Sequence, residues 1–154
     1  MVYDWRMSLF LHKSHNVSVL LYHLVCPAKY RRAVIDEAVD RVIVDACREI
    51  EKRFEMHFLE IGTDRDHVHF LIQSVPTYAP TRIARVVKSI TARQVFAMCP
   101  QVRKKLWGGE FWTDGFFISS VGRSASEGAV RDYVKRQGGQ QEYVRLHEGQ
   151  LLLV

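Results

Sequence analysis

The stretch "MHFLEIGTDRDHVHFLIQSVP", Met56 to Pro76, decides the architecture. Two apolar runs are joined by the short polar link "GTDRD", and Pro76 closes the second, which is the pattern of two strands in a hairpin. Residues two apart in a strand face the same side. Val68, Phe70 and Ile72 therefore share a face that is plainly core, while His67, His69, Leu71 and Gln73 share the other.

The flanking sequence supplies the remaining elements. "NVSVLLYHLVCP" is β-branched and apolar and stops at Pro27, so it predicts a buried strand. "RRAVIDEAVDRVIVDACREIEKRF" places Val34, Ala38, Val42, Ala46 and Ile50 at helical spacing among charges. "PTRIARVVKSITARQVFAM" opens on Pro80, suited to a first helical turn, and sets Ile83, Val87 and Ile90 on one side. "FWTDGFFISSVG" predicts a fourth strand with a bulge at Gly115. "SASEGAVRDYVKRQ" has Ser124 and Glu127 in capping-box register and predicts a last helix that ends at Gly138-Gly139. The order is β-α-β-β-α-β-α. It defines an α+β, ferredoxin-like split βαβ fold: an antiparallel sheet with helices on one face plus an extra C-terminal helix. One domain is expected over residues 1–154, with a loose arm at 1–15 and a tail at 138–154 that either docks on a partner or frays.

Lys and Arg outnumber Asp and Glu by 22 to 17, an excess that suits an anionic partner without specifying one. No apolar run is long enough to span a membrane, and the N-terminus lacks the flanks of a signal peptide. Cys26, Cys47 and Cys99 form no CxxC pair, so reduced thiols in a cytoplasmic protein are expected.

His67 and His69 stand roughly 6.5–7 Å apart along their strand, close enough for both imidazoles to turn toward one ion. The alternative is a pair hydrogen-bonded within a half-solvated sheet face. Two ligands alone under-coordinate a divalent ion. Gln137 offers a hard amide oxygen that suits Mg²⁺ or Mn²⁺ beside imidazole. Tyr133 lies four residues before it, on the same helix face. There it either packs beside Val130 and Val134 or reaches a phosphate held by that ion.

HxH on a strand, followed about sixty residues later by YxxxQ on a helix, resembles the HUH endonucleases. More closely, the chain is similar to the single-tyrosine transposases of the insertion-sequence two-hundred/six-hundred-five family. The resemblance runs from about Leu21 to Gln137 through "YHLVCPAKYRR", "DRDHVHFLIQ", "VVKSITAR", "LWGGEFWTDGFFISSVG" and "YVKRQ", in the family's order. Ser89 stands where the family often has glycine, and Phe116 and Phe117 where it often has an aromatic hydroxyl. The resemblance implies that His67, His69 and Gln137 hold a divalent metal, Mg or Mn, and that Tyr133 is the catalytic nucleophile on the last helix. It implies cleavage and rejoining of single-stranded DNA with hairpin ends through a 5′-phosphotyrosine. It also implies a homodimer in which the tyrosine helix of one chain completes the other's site.

Arg82, Arg85 and Lys88 line one side of the second helix, and Arg103, Lys104 and Lys105 precede "LWGGEFW". They are either a solvated helix face and a surface loop or DNA-phosphate contacts, and the resemblance favours contact. Trp107, Phe111 and Trp112 either stack on bases or pack in the core. Two other functions fit parts of the pattern: an HUH-type nickase for replication, transfer or repeat processing, and a non-catalytic nucleic-acid-binding module, which would need neither metal triad nor tyrosine.

Overall fold

The structure, a computed structural model, describes residues 11–12, 17–18, 20–121 and 143–144. Strands β1 (Leu11–His12) and β2 (Val17–Ser18) form a small antiparallel ribbon. The main sheet contains β3 (Leu20–Pro27), β4 (His57–Thr63), β5 (His67–Ser74), β6 (Phe117–Val121) and β7 (Tyr143–Val144). Its order is β6-β3-β5-β4-β7, with every neighbour antiparallel. Helices α1 (Glu37–Arg53) and α2 (Pro80–Met98) connect β3 to β4 and β5 to β6, and α3 (Pro100–Lys105) follows α2. Without β7, this is the split βαβ order expected from the sequence.

The faces separate as the period of two requires. Leu24 and Cys26 of β3 join Val68, Phe70 and Ile72 of β5 in the main core, against Val39, Ile43, Cys47 and Ile50 of α1 and Ile83, Val87 and Ile90 of α2. The opposite face holds a smaller cluster of Leu21, Leu59 and Leu71. Leu59 is accommodated by a register shift: Phe58 pairs with Ile72, but Glu60 pairs with Leu71.

Three elements differ from expectation, each for a local reason. The first helix begins at Glu37 because the Asp36 carboxylate accepts the Val39 N–H at 2.9 Å and caps it. Residues 29–31 upstream form a short 3₁₀ turn, with Tyr30 and Arg31 at φ 59 and 52. Val34 and Ile35 are buried although they precede the helix, which is why the apolar spacing overran it. Arg103, Lys104 and Lys105 are not in a loop but in the last turn of α3, where cations complement the helix carbonyl end. The fourth strand begins at Phe117 rather than Phe111, so Gly115 precedes it and is no bulge. Trp112 makes only an isolated bridge to Ala28, and its indole N–H donates to Thr91 Oγ1 at 2.9 Å, which ties it to α2 instead.

The tail contributes Tyr143–Val144 as an edge strand on β4. The expected last helix over 124–137 lies outside the described residues, as do most of the arm and the tail.

Thr91 is fully buried and is the acceptor for the buried Trp112 N–H. Thr91→Val keeps the shape and removes that acceptor. It should lower unfolding stability by about 1–3 kcal/mol in urea titration, with the m-value unchanged.

Candidate functional site

The site grows from the β4–β5 link. The Asp64 N–H donates to the His67 carbonyl at 2.9 Å and closes the turn, while Ala28 and Ile35 donate their N–H groups to the Asp66 and Arg65 carbonyls at 2.7 and 2.9 Å. The link is thus held by the segment that leaves β3. His67 opens β5, and His69 follows on the same face. Their ring centroids lie 4.8 Å apart, at 73° to each other, so the rings converge relative to their spacing along the strand.

Each imidazole is held at Nδ1. His67 Nδ1 lies 2.6 Å from Asp66 Oδ1, and Asp66 Oδ2 also accepts from Arg31 Nε at 3.2 Å. Burial alone would push the Asp66 carboxyl up, but the hydrogen bond from His67 and the Arg31 charge outweigh it and hold the group below its ordinary value. His69 Nδ1 lies 3.0 Å from His23 Nε2, with the two rings stacked within 13°. An Nδ1–H donor on each ring puts the lone pair on Nε2, the atom a metal takes. His69 Nε2 is buried and has no hydrogen-bond partner among the described residues. A buried nitrogen normally finds one.

Electrostatics favour the ligating form. Burial first, then the charges of His67 and His23, push His69 down to about 4 against the opposing pull of Asp64. Burial also lowers His23. His69 is therefore neutral at physiological pH, the form that metal ligation requires. Donor atoms of Asp64, Asp66 and His67 lie within 4.8 Å of one another beside the pair. Nitrogen and hard oxygen donors of this kind fit a divalent cation.

His67 and His69 therefore come together as expected, although His69, Leu71 and Gln73 are buried rather than half-solvated. Tyr133 and Gln137 lie outside the described residues. His23 and Asp66, which orient the two rings, escaped the sequence reading. Asp66 is adjacent to His67 and was visible in "DRDH". His23 needed the β3–β5 register, which sets Val25 opposite His69 and His23 opposite Leu71, two residues on.

The basic residues divide. Arg82 stacks on the Tyr78 ring at 4.6 Å, and Arg103 on Phe96 at 5.3 Å. Lys88 donates to the Thr113 and Asp114 carbonyls at 2.8 and 3.0 Å, so it holds the approach to β6. Arg85 lines a groove of about 490 Å³ between α2 and residues 109–116. Lys104 and Lys105 are exposed. Phe111 and Trp112 are core residues, whereas Trp107 is exposed. No helix among the described residues is long and apolar enough to cross a membrane.

Comparison with known proteins points to transposases. Residues 16–137 match the family described as "Transposase IS200 like". The chain belongs to this IS200-like transposase family. The ISDra2 transposase TnpA of Deinococcus radiodurans is 30% identical over 118 residues, 77% of this chain and 84% of that protein. The transposase for insertion sequence element IS200 of Salmonella typhimurium is 24% identical over 116 residues, 75% of each. Among solved structures, a transposase candidate from Deinococcus radiodurans R1 superposes with a TM-score of 0.64 at 24% identity, covering 84% of this chain and 99% of that one. A REP-associated tyrosine transposase, solved bound to a REP hairpin, gives 0.53 at 11% identity over 80% of this chain and 67% of that one. These two likenesses bear on the fold alone, and they agree with the antiparallel α+β sheet.

The buried His69 predicts acid sensitivity in the metal-free protein. Its folded value of about 4 lies below the ordinary 6.5, so the unfolded chain takes up the proton first as pH falls. The stabilisation is complete above the unfolded value and is lost as pH falls from about 6.5 to about 4, by up to roughly 3 kcal/mol. Urea unfolding at intervals across that window should show the fall, and His69→Gln should flatten it.

Proposed function

We propose that this family member is a metal-dependent transposase that cleaves and rejoins single-stranded DNA at insertion-sequence ends through a covalent bond to Tyr133. The observation that carries the reading is the imidazole pair. His67 and His69 converge and are anchored at Nδ1 by Asp66 and His23, so that a proton on each Nδ1 leaves the Nε2 lone pairs for a metal. A packing pair needs no such orientation, and a module that only binds nucleic acid has no use for it.

Bound by His67, His69 and Gln137, Mg²⁺ or Mn²⁺ supplies Lewis-acid polarisation of the scissile phosphate and offsets its developing charge. Tyr133 supplies the nucleophile. Its hydroxyl has an ordinary pKa of about 10 and is a weak nucleophile near neutral pH. The Tyr133 oxygen forms the bond to phosphorus and gives up its proton. The bond from phosphorus to the 3′-oxygen breaks, and that oxygen leaves protonated as a 3′-hydroxyl. A second 3′-hydroxyl then attacks the 5′-phosphotyrosine and releases Tyr133, so the strand is rejoined without ATP. Asp66 and His23 act through the ligands: each fixes the tautomer and tilt of one ring.

The substrate in this reading is single-stranded DNA with hairpin ends. Support comes from the family, and from the REP hairpin bound by the structural neighbour. Arg82, Arg85, Arg103, Lys104 and Lys105 contact phosphate, while Lys88 braces residues 113–114. The working unit is a homodimer, with the tyrosine helix of one chain serving the other.

Tyr133→Phe removes one oxygen. With Mn²⁺ and single strands from the flanks of its own gene, it should bind DNA and metal yet give no covalent adduct on a denaturing gel. Adduct formation by this variant would overturn the nucleophile assignment. His67→Ala/His69→Ala, or excess chelator, should abolish cleavage.

His23→Leu tests ring orientation separately. Mn²⁺ affinity measured by calorimetry should fall about 10- to 100-fold while far-UV circular dichroism stays unchanged.

A further inference from the structure

The turn that leaves β3 holds an arrangement that the metal chemistry does not use. Tyr30 and Arg31 both adopt left-handed backbone, at φ 59 and 52. Neither residue type favours that region, and glycine occupies it at no steric cost. The strain is held in place by its surroundings. Lys29 N–H donates to the Phe111 carbonyl and Arg31 N–H to the Ala28 carbonyl, both at 2.8 Å. Such outliers persist where the side chains they aim are useful.

The left-handed pair sends two side chains in different directions. Arg31 turns back to Asp66, the residue that orients His67. Tyr30 is 52% exposed and lies beside Trp107, which is 71% exposed; the ring centroids are 6.0 Å apart and tilted by 31°. These are two of the largest apolar side chains on the described surface. Lys29 Nζ lies 5.6 Å from the Tyr30 ring centroid, and the exposed Lys104 and Lys105 precede Trp107 at the end of α3, so cations accompany the aromatic pair.

We infer that Tyr30 and Trp107 form a stacking platform for an unpaired nucleobase of the bound strand, next to the phosphate held at His67 and His69. The inference rests on the single-strand reading above. The chemistry selects the ligand: aromatic faces beside ammonium groups suit a base together with its phosphates. An unpaired base offers its face, which a duplex hides within its own stack. The link Tyr30–Arg31–Asp66–His67 fixes the platform relative to the metal ligands, so the stacked base belongs to a nucleotide near the cleaved bond. Stacking is sequence-tolerant, so the platform would set the position of the strand rather than read its sequence.

The test uses the full-length protein and an oligonucleotide from the flank of its gene, with and without an abasic site near the cleaved position. Tyr30→Gly suits the left-handed backbone and deletes only the ring. Trp107→Ala truncates an exposed residue. Each should weaken binding of the intact strand about tenfold, leave the salt dependence unchanged, and bind the abasic strand no worse than the unaltered protein does. Lys104→Ala/Lys105→Ala should instead reduce the salt slope. DNA should quench part of the tryptophan emission, and Trp107→Phe should lose that quenching while still binding. Undiminished single-strand affinity in both Tyr30→Gly and Trp107→Ala would overturn the platform but leave the transposase reading standing. A change of oligomeric state in place of DNA affinity would also overturn it, by marking the patch as a protein contact. Failure of the unaltered protein to bind single strands at all would overturn both readings.

Discussion

The pairing of β3 with β5 is the constraint on which the rest depends. These central strands align over eight residue pairs, from Leu20 opposite Ser74 to Pro27 opposite His67. A slip of one residue would exchange the faces, sending His23 toward the helices and Leu24 away from them. The register is enforced from the apolar side, where Leu24 and Cys26 meet Val68, Phe70 and Ile72 under α1 and α2. The polar side inherits that precision. His23 reaches His69 at 3.0 Å because core packing on the opposite face leaves the strands no other alignment.

This division explains how a sheet can tolerate buried imidazoles. His23, His69 and Gln73 are nearly inaccessible, and a buried polar group without a partner destabilises the fold. Burial keeps His69 neutral, so no charge has to be desolvated. The His23–His69 bond then satisfies one nitrogen on each ring, while His69 Nε2 has no hydrogen-bond partner among the described residues. In the proposed reading that nitrogen is a metal ligand, and the same desolvation that weakens the metal-free fold in acid would keep protons from competing with the cation at neutral pH.

Much of this was legible in the sequence because it depends on local periods. The period of two separated the faces of β5, and Pro80 and the 3.6-residue stripe delimited α2. What escaped depends on side-chain bonds across the chain. Asp36 caps α1 so that it begins at Glu37, three residues after Val34 where the apolar spacing starts, and Thr91 draws Trp112 off the line of β6. His23 read as one residue of a buried strand because its importance lies in a partner 46 positions away. The four-residue spacing of Tyr133 and Gln137 predicts that they share a helix face, and both lie outside the described residues.

The net charge of +5 said least, and the structure shows why. A basic residue contributes to an anionic partner only if its charge is not already committed inside the molecule. Lys88 is committed to two carbonyls, Lys29 to Glu110 at 2.7 Å, and Arg31 to Asp66. These three cations work as braces, and each holds the segment where β3, the β4–β5 link and the approach to β6 meet. Lys104 and Lys105 remain exposed at the end of α3, beside Trp107. Of the three braces, Arg31 is the one that reaches the imidazoles, because it pairs with Asp66 and Asp66 with His67 Nδ1, so one surface cation ties the exit of β3 to the start of β5.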